Sequence, residues 1–108
     1  MNFNPSTRQV SRRPNTDRQG SAFPLFTIES VWQKGKPIYG RDPTLYRTDI
    51  CGKLIARQAY GRTDLSEGWE IDHIKPVAKG GGDELANLQP LQWTTNRAKS
   101  DKYPWHCS

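Results

Sequence analysis

The chain has 108 residues, enough for one domain and little beside it. Leu, Ile, Val and Phe together number only 19, which predicts a small core and a part of the chain that stays outside it. No apolar run approaches the roughly 18 residues of a membrane span, and at this size a multi-domain enzyme with a large buried cofactor pocket is not expected.

Sixteen Lys and Arg against eleven Asp and Glu leave a net charge of +5, which favours a polyanionic partner. The excess is uneven. Residues 1–22 hold Arg8, Arg12, Arg13 and Arg18 against Asp17 alone, a local +3, so the remainder carries +2. That first stretch is rich in Asn, Ser, Thr and Pro and has no apolar period, so residues 1–22 are expected to form a flexible basic arm. A solvated tail is favoured there over an arm that touches phosphates. One domain is then expected over residues 23–108. Cys51 and Cys107 allow a single disulfide. With no apolar stretch of signal-peptide type at the start, the expected setting is the reducing cytoplasm, with both thiols free. There is no C-x-x-C pair, and structural zinc is not expected.

Phe23, Phe26, Ile28, Val31 and Trp32 are spaced for a short helix with one inward face, ended by Gly35 and Pro37. Asp42 and Pro43, as cap and first position, predict a second short helix through Leu45 and Tyr46. Residues 50–61 read as a small hairpin. The core is expected around Trp32, Tyr46 and Tyr60.

Residues 68–103 carry the chemistry. Trp69 to Ile74 alternate as a strand that Pro76 ends, and three glycines, Gly80 to Gly82, form the connecting loop. Asp83 is expected to cap a short helical turn, followed by an extended piece through Leu88, Pro90 and Leu91. Thr94 or Thr95 then caps a helix over about 95–102.

Asp72 and His73 are adjacent, with Asn87 and Asn96 downstream. Asp72 and Asn96 supply only oxygen donors, which suit a hard cation such as Mg²⁺ or Mn²⁺. A His73 that is not a metal ligand is free to act as a general base. One base for water and one cation for the charge on phosphate are a minimal set for phosphodiester hydrolysis.

The run Asp72-His73-Ile74, Pro76, Gly80-Gly81, Asn87-Leu88, Leu91, Asn96-Arg97 and Lys99-Ser100-Asp101 resembles the HNH endonucleases of the ββα-metal superfamily. It is most similar to the variant with Asn in the third motif position, as in the HNH domain of the large CRISPR effector nuclease. The resemblance implies an α+β fold: a two-stranded antiparallel ribbon and a helix, braced here by short N-terminal helices. It implies that His73 activates water and that Asp72 and Asn96 hold the metal, Mg²⁺ or Mn²⁺. Asn87 would brace the loop between the strands and orient the imidazole. The implied activity is a metal-dependent endonuclease that nicks one strand of DNA per site, with RNA a further candidate.

Arg97, Lys99 and Lys102, on the helix after Asn96, are expected on phosphates, with Lys75 beside the strand end. Glu70 is read as a strand-edge acid in preference to a group supporting the metal site. Trp69, Trp93 and Trp105 are read as core in preference to base-stacking residues. A monomer or weak dimer is expected, without membrane association; a larger phage or defence-system partner stays open. The competing classes are a nucleic-acid-binding module that has kept the fold without turnover, and a nuclease toxin or effector domain. Competent side chains at all four motif positions speak against the first.

Overall fold

The computed structural model describes residues 12–108, so the expected arm lies outside the described residues up to position 11. From Arg12 onward the arm is not free. It docks along the outer edge of a strand and is held there by specific bonds.

Helix α1 spans Leu25–Trp32 and buries Ile28, Val31 and Trp32. Phe26, expected on that inward face, is 82% exposed, whereas Phe23 just ahead of the helix is buried. The predicted helix at Asp42 is a single turn. Leu45 and Tyr46 both donate to the Asp42 carbonyl, and the chain then enters strand β1, Tyr46–Thr48. The Asp42 carboxylate accepts from the Thr44 amide, the local bond that favours turn over helix.

Strand β1 pairs with β2, Leu54–Ala56, so the hairpin starts four residues before the 50–61 segment that the apolar pattern suggested. Its turn is built on Asp49, a buried carboxylate. One oxygen accepts from the amides of Cys51 and Lys53, and the other from the amide of Gln92, 43 residues on.

A second antiparallel pair joins β3, Trp69–His73, to β4, Leu88–Gln92, with Asp72 opposite Gln89 and His73 opposite Leu88. Pro90 sits opposite Ile71. Proline has no N–H to give, and the Ile71 amide turns outward to Asn15 in the docked segment. Helix α2, Trp93–Lys99, follows β4 without a loop. It starts and ends earlier than expected, because the Gln92 side chain accepts from the amides of Thr94 and Thr95 and so caps it in place of either threonine.

The core cluster is Phe23, Ile28, Val31, Trp32, Ile55, Trp69, Ile71 and Leu88, with Tyr60 packed against it. Trp32 and Trp69 meet at 5.4 Å between ring centroids, and Tyr60 stands edge-on to Trp69 at 4.8 Å. Tyr46, expected at the centre, is half-buried under the Arg41 guanidinium. Trp69 is core as read; Trp93 and Trp105 are half-buried.

Cys51 and Cys107 form a disulfide across 5.5 Å between Cα atoms, which overturns the expectation of free thiols. The bridge joins the hairpin turn to the segment after α2. That proximity is a product of tertiary folding and is invisible in a separation of 56 residues. No described helix is long and apolar enough to cross a membrane.

Candidate active site

All five residues of β3 are buried, because the strand is covered on both faces. Trp69 and Ile71 point into the core. Glu70 and Asp72, two apart and so on the opposite face, meet α2. On α2, Asn96 and Lys99 are three apart and therefore lie on one side of the helix, the side that is buried. The two periodicities together build a polar ladder. The Asn96 amide donates to Glu70 Oε1 at 2.8 Å, and Lys99 Nζ donates to Asp72 Oδ1 at 3.1 Å.

Asp72 is engaged on both oxygens: Gln89, its cross-strand neighbour, donates to Oδ2 at 3.0 Å. Burial pushes its carboxyl above the ordinary value, opposed by the Gln89 amide and the Lys99 ammonium. Glu70 is only 3% exposed, which corrects its reading as a strand-edge acid. Besides Asn96 it accepts a two-pronged bond from Arg97, Nε to Oε1 at 3.2 Å and Nη2 to Oε2 at 2.8 Å. Asn96 thereby has its amide nitrogen committed, and among the described residues nothing donates to its Oδ1.

His73 ends the strand on the apolar side, its ring 5.9 Å from that of Phe23. Its Nε2 lies 2.7 Å from Asp83 Oδ1. Asp83 was expected to cap a helical turn. It caps nothing: the turn at Leu85–Asn87 has no side-chain cap, and the carboxylate turns to the imidazole instead. This partner is the residue that sequence reasoning missed, and the only signal for it was an acid directly after three glycines.

Asn87 does brace the connecting loop. Its Oδ1 accepts from the Lys75 amide at 2.8 Å, and its Nδ2 donates to the carbonyls of Lys75 and Gly82 at 3.1 and 2.9 Å. These bonds reach the loop backbone and not the imidazole. The loop passes so close to Lys75 that a Cβ on Gly81 would fall 1.7 Å from the Lys75 carbonyl oxygen, which requires glycine there.

Asp72, His73 and Asn96, spread over 25 positions, line one open cleft of about 1200 Å³. Arg97 lines it from α2, and Arg12 and Arg18 line it from the docked N-terminal segment. Two basic residues are not on the exposed helix face where they were expected. Lys99, expected on phosphates, is 1% exposed and spends its ammonium on Asp72 and on the His73 carbonyl. Lys102 lies beyond the helix end, exposed, its Nζ 3.4 Å from the Ala98 carbonyl. Lys75 is exposed beside the strand end.

The HNH endonuclease family matches residues 49–102, half of the chain, from the Asp49 turn through β3, β4 and α2. The chain belongs to that family, and its two-stranded ribbon with a following helix is compatible with the ββα fold of the class. No curated protein and no solved structure matches it.

Proposed function

We propose that this nuclease-family chain is a divalent-metal-dependent endonuclease that hydrolyses phosphodiester bonds in DNA, with His73 as the base that activates water. The observation that carries the reading is the single cleft shared by the His73 imidazole, the Asp72 carboxylate and the Asn96 amide. Lone pairs remain for a cation. Each Asp72 oxygen holds one of its two acceptor positions free after bonding Lys99 or Gln89, and Asn96 Oδ1 has no described donor. Carboxylate and amide oxygens form a hard donor set that fits Mg²⁺ or Mn²⁺ better than a soft ion. No three His, Cys, Asp or Glu side chains converge among the described residues, so these two would be the protein's share of the shell.

A divalent ion held there would supply positive charge for the scissile phosphate and the departing oxygen. The protein does the rest. With Nε2–H given to Asp83, the His73 Nδ1 keeps a lone pair to take a proton from water. Glu70 fixes the Asn96 amide so that its oxygen is presented without rotation. Arg97, Lys75 and Lys102 would contact phosphates; Lys99 is removed from that group and assigned to Asp72. One such site cuts one strand, so each encounter leaves a nick.

The test is conversion of supercoiled plasmid to open circle in Mg²⁺, with single-stranded RNA as a parallel substrate. Wild type nicks, EDTA stops it, and His73→Ala lowers the rate by about 10² or more. Equal rates for the two proteins would remove His73 as base. Binding of Mn²⁺, followed by its electron paramagnetic resonance, should weaken in Asp72→Ala whether or not the protein turns over.

A further inference from the structure

We propose that Asp83 is the residue that positions His73, and that the main-chain amide of Arg18, in the docked N-terminal segment, holds Asp83 to that task. The proposal rests on the reading of His73 as base but concerns a different contact. The His73 side chain is 3% exposed and its ring is tilted against that of Phe23, so water cannot freely solvate its Nε2. Asp83 Oδ1 at 2.7 Å is the acceptor that satisfies it. A neutral imidazole has one donor and one acceptor. Giving Nε2–H to the carboxylate leaves Nδ1 as the basic atom and stops rotation about the ring's last torsion.

A carboxylate on a surface loop after three glycines would normally sample several rotamers, and Asp83 is one-third exposed. Two restraints remove that freedom. On the chain side, Asn87 grips the Gly82 carbonyl, the residue directly before Asp83. On the solvent side, the Arg18 N–H donates to both carboxylate oxygens, at 3.1 and 3.2 Å.

The N-terminal segment is itself built to deliver that amide. Arg18 is the second residue of a turn closed by the Gly20 amide on the Asp17 carbonyl at 2.8 Å. The Asp17 carboxylate accepts from the amides of Gln19 and Ser21, both at 2.9 Å. Three residues upstream, Asn15 anchors the segment to the strand edge in a left-handed conformation at φ 61°. Its Oδ1 accepts from the Ile71 amide and the Tyr60 hydroxyl, each at 2.8 Å. Burial pushes the Tyr60 phenol up to about 12, so the hydroxyl keeps the proton it donates. Docking of the segment and orientation of the imidazole are thereby one structural unit.

The experiment uses the full chain. Arg18→Pro deletes the amide at a turn position where proline is favoured, and Arg18→Ala retains it. Asp83→Ala removes the carboxylate, and Asp83→Asn retains an acceptor oxygen without the charge. In ¹⁵N-histidine NMR, the Nε2–H proton of His73, assigned by its loss in His73→Gln, is expected downfield and slow to exchange in wild type and in Arg18→Ala. Asp83→Ala and Arg18→Pro should lose it while unfolding at a temperature near that of wild type. In nicking assays Asp83→Ala should lower kcat by about 10- to 100-fold with KM within about twofold, and Asp83→Asn should recover part of the loss. A protected resonance that survives Asp83→Ala, or a loss carried by KM with kcat intact, overturns the proposal. An unchanged resonance in Arg18→Pro overturns the part assigned to the N-terminal segment. A wild type that does not nick would sink the reading of His73 as base, while the resonance still decides whether Asp83 holds the ring.

Discussion

The two faces of β3 are equally buried and chemically opposite. On one, Trp69 and Ile71 meet Trp32, Tyr60 and the rest of the core. On the other, Glu70 and Asp72 meet Asn96, Arg97 and Lys99 of α2. The apolar face gains free energy roughly in proportion to the area it removes from water. The polar face pays desolvation for its charges and recovers it through geometry, so its net contribution to stability is small. What it supplies is position: an amide and a carboxylate fixed along the cleft that His73 also lines. One strand thus carries core residues on one face and site residues on the other, with His73 at its end on the apolar side.

The comparison breaks if the polar face turns out to carry the stability. The largest expected effect is on the apolar side, where Trp69→Ala should cost about 3–5 kcal/mol in urea unfolding, near the whole stability of so small a domain. Next is the covalent fastening of the segment after α2. Breaking Cys51–Cys107 by reduction, or as a double Ser variant, opens a link spanning 56 residues. On the chain-entropy account that loss is about 4 kcal/mol, read as a drop in unfolding midpoint in the presence of dithiothreitol.

Lys99→Met should cost about 3 kcal/mol, because it strands a buried carboxylate. Adding Asp72→Asn should recover most of that loss while abolishing Mn²⁺ binding. Failure of the pair to recover would mean that the ion pair itself stabilises the fold. Glu70→Gln, which keeps an acceptor for Asn96 but weakens the half-exposed Arg97 contact, should cost about 1 kcal/mol.

The smallest expected effect is on pH dependence. The Asp72 carboxyl is raised in the folded chain, so the native state binds its proton more tightly than the unfolded chain does. Its unfavourable contribution is absent below the unfolded value and complete above the folded one. The difference in unfolding midpoint between Asp72→Asn and wild type should therefore shift toward the variant as pH rises through that interval. A difference that is flat across it would show that burial does not penalise the charge.

Much of the candidate site's placement in the fold was legible beforehand because its parts obey local rules. Alternation marked the strand that carries Asp72 and His73, three glycines marked the loop, and the spacing of Asn87 and Asn96 carried the family likeness. The brace made by Asn87 was legible for the same reason, since it closes a loop only twelve residues across. Lys99 was misassigned because a lysine on a basic helix looks solvated until a carboxylate two strand positions from Glu70 is known to face it. Glu70 and Asp83 were misjudged in the same way: an acid announces its charge but not its partner.

Local chemistry in the chain settled where the strands, loops and α2 lie, because pleat, helical repeat and glycine freedom act over a few residues. Long-range encounters were decided by packing alone. Cys107 reaches Cys51, Asp49 caps the amide of Gln92, and a segment read as a loose tail lays Arg18 against Asp83. Such pairs depend on how the folded surfaces meet in space, and no periodicity along the backbone encodes that distance.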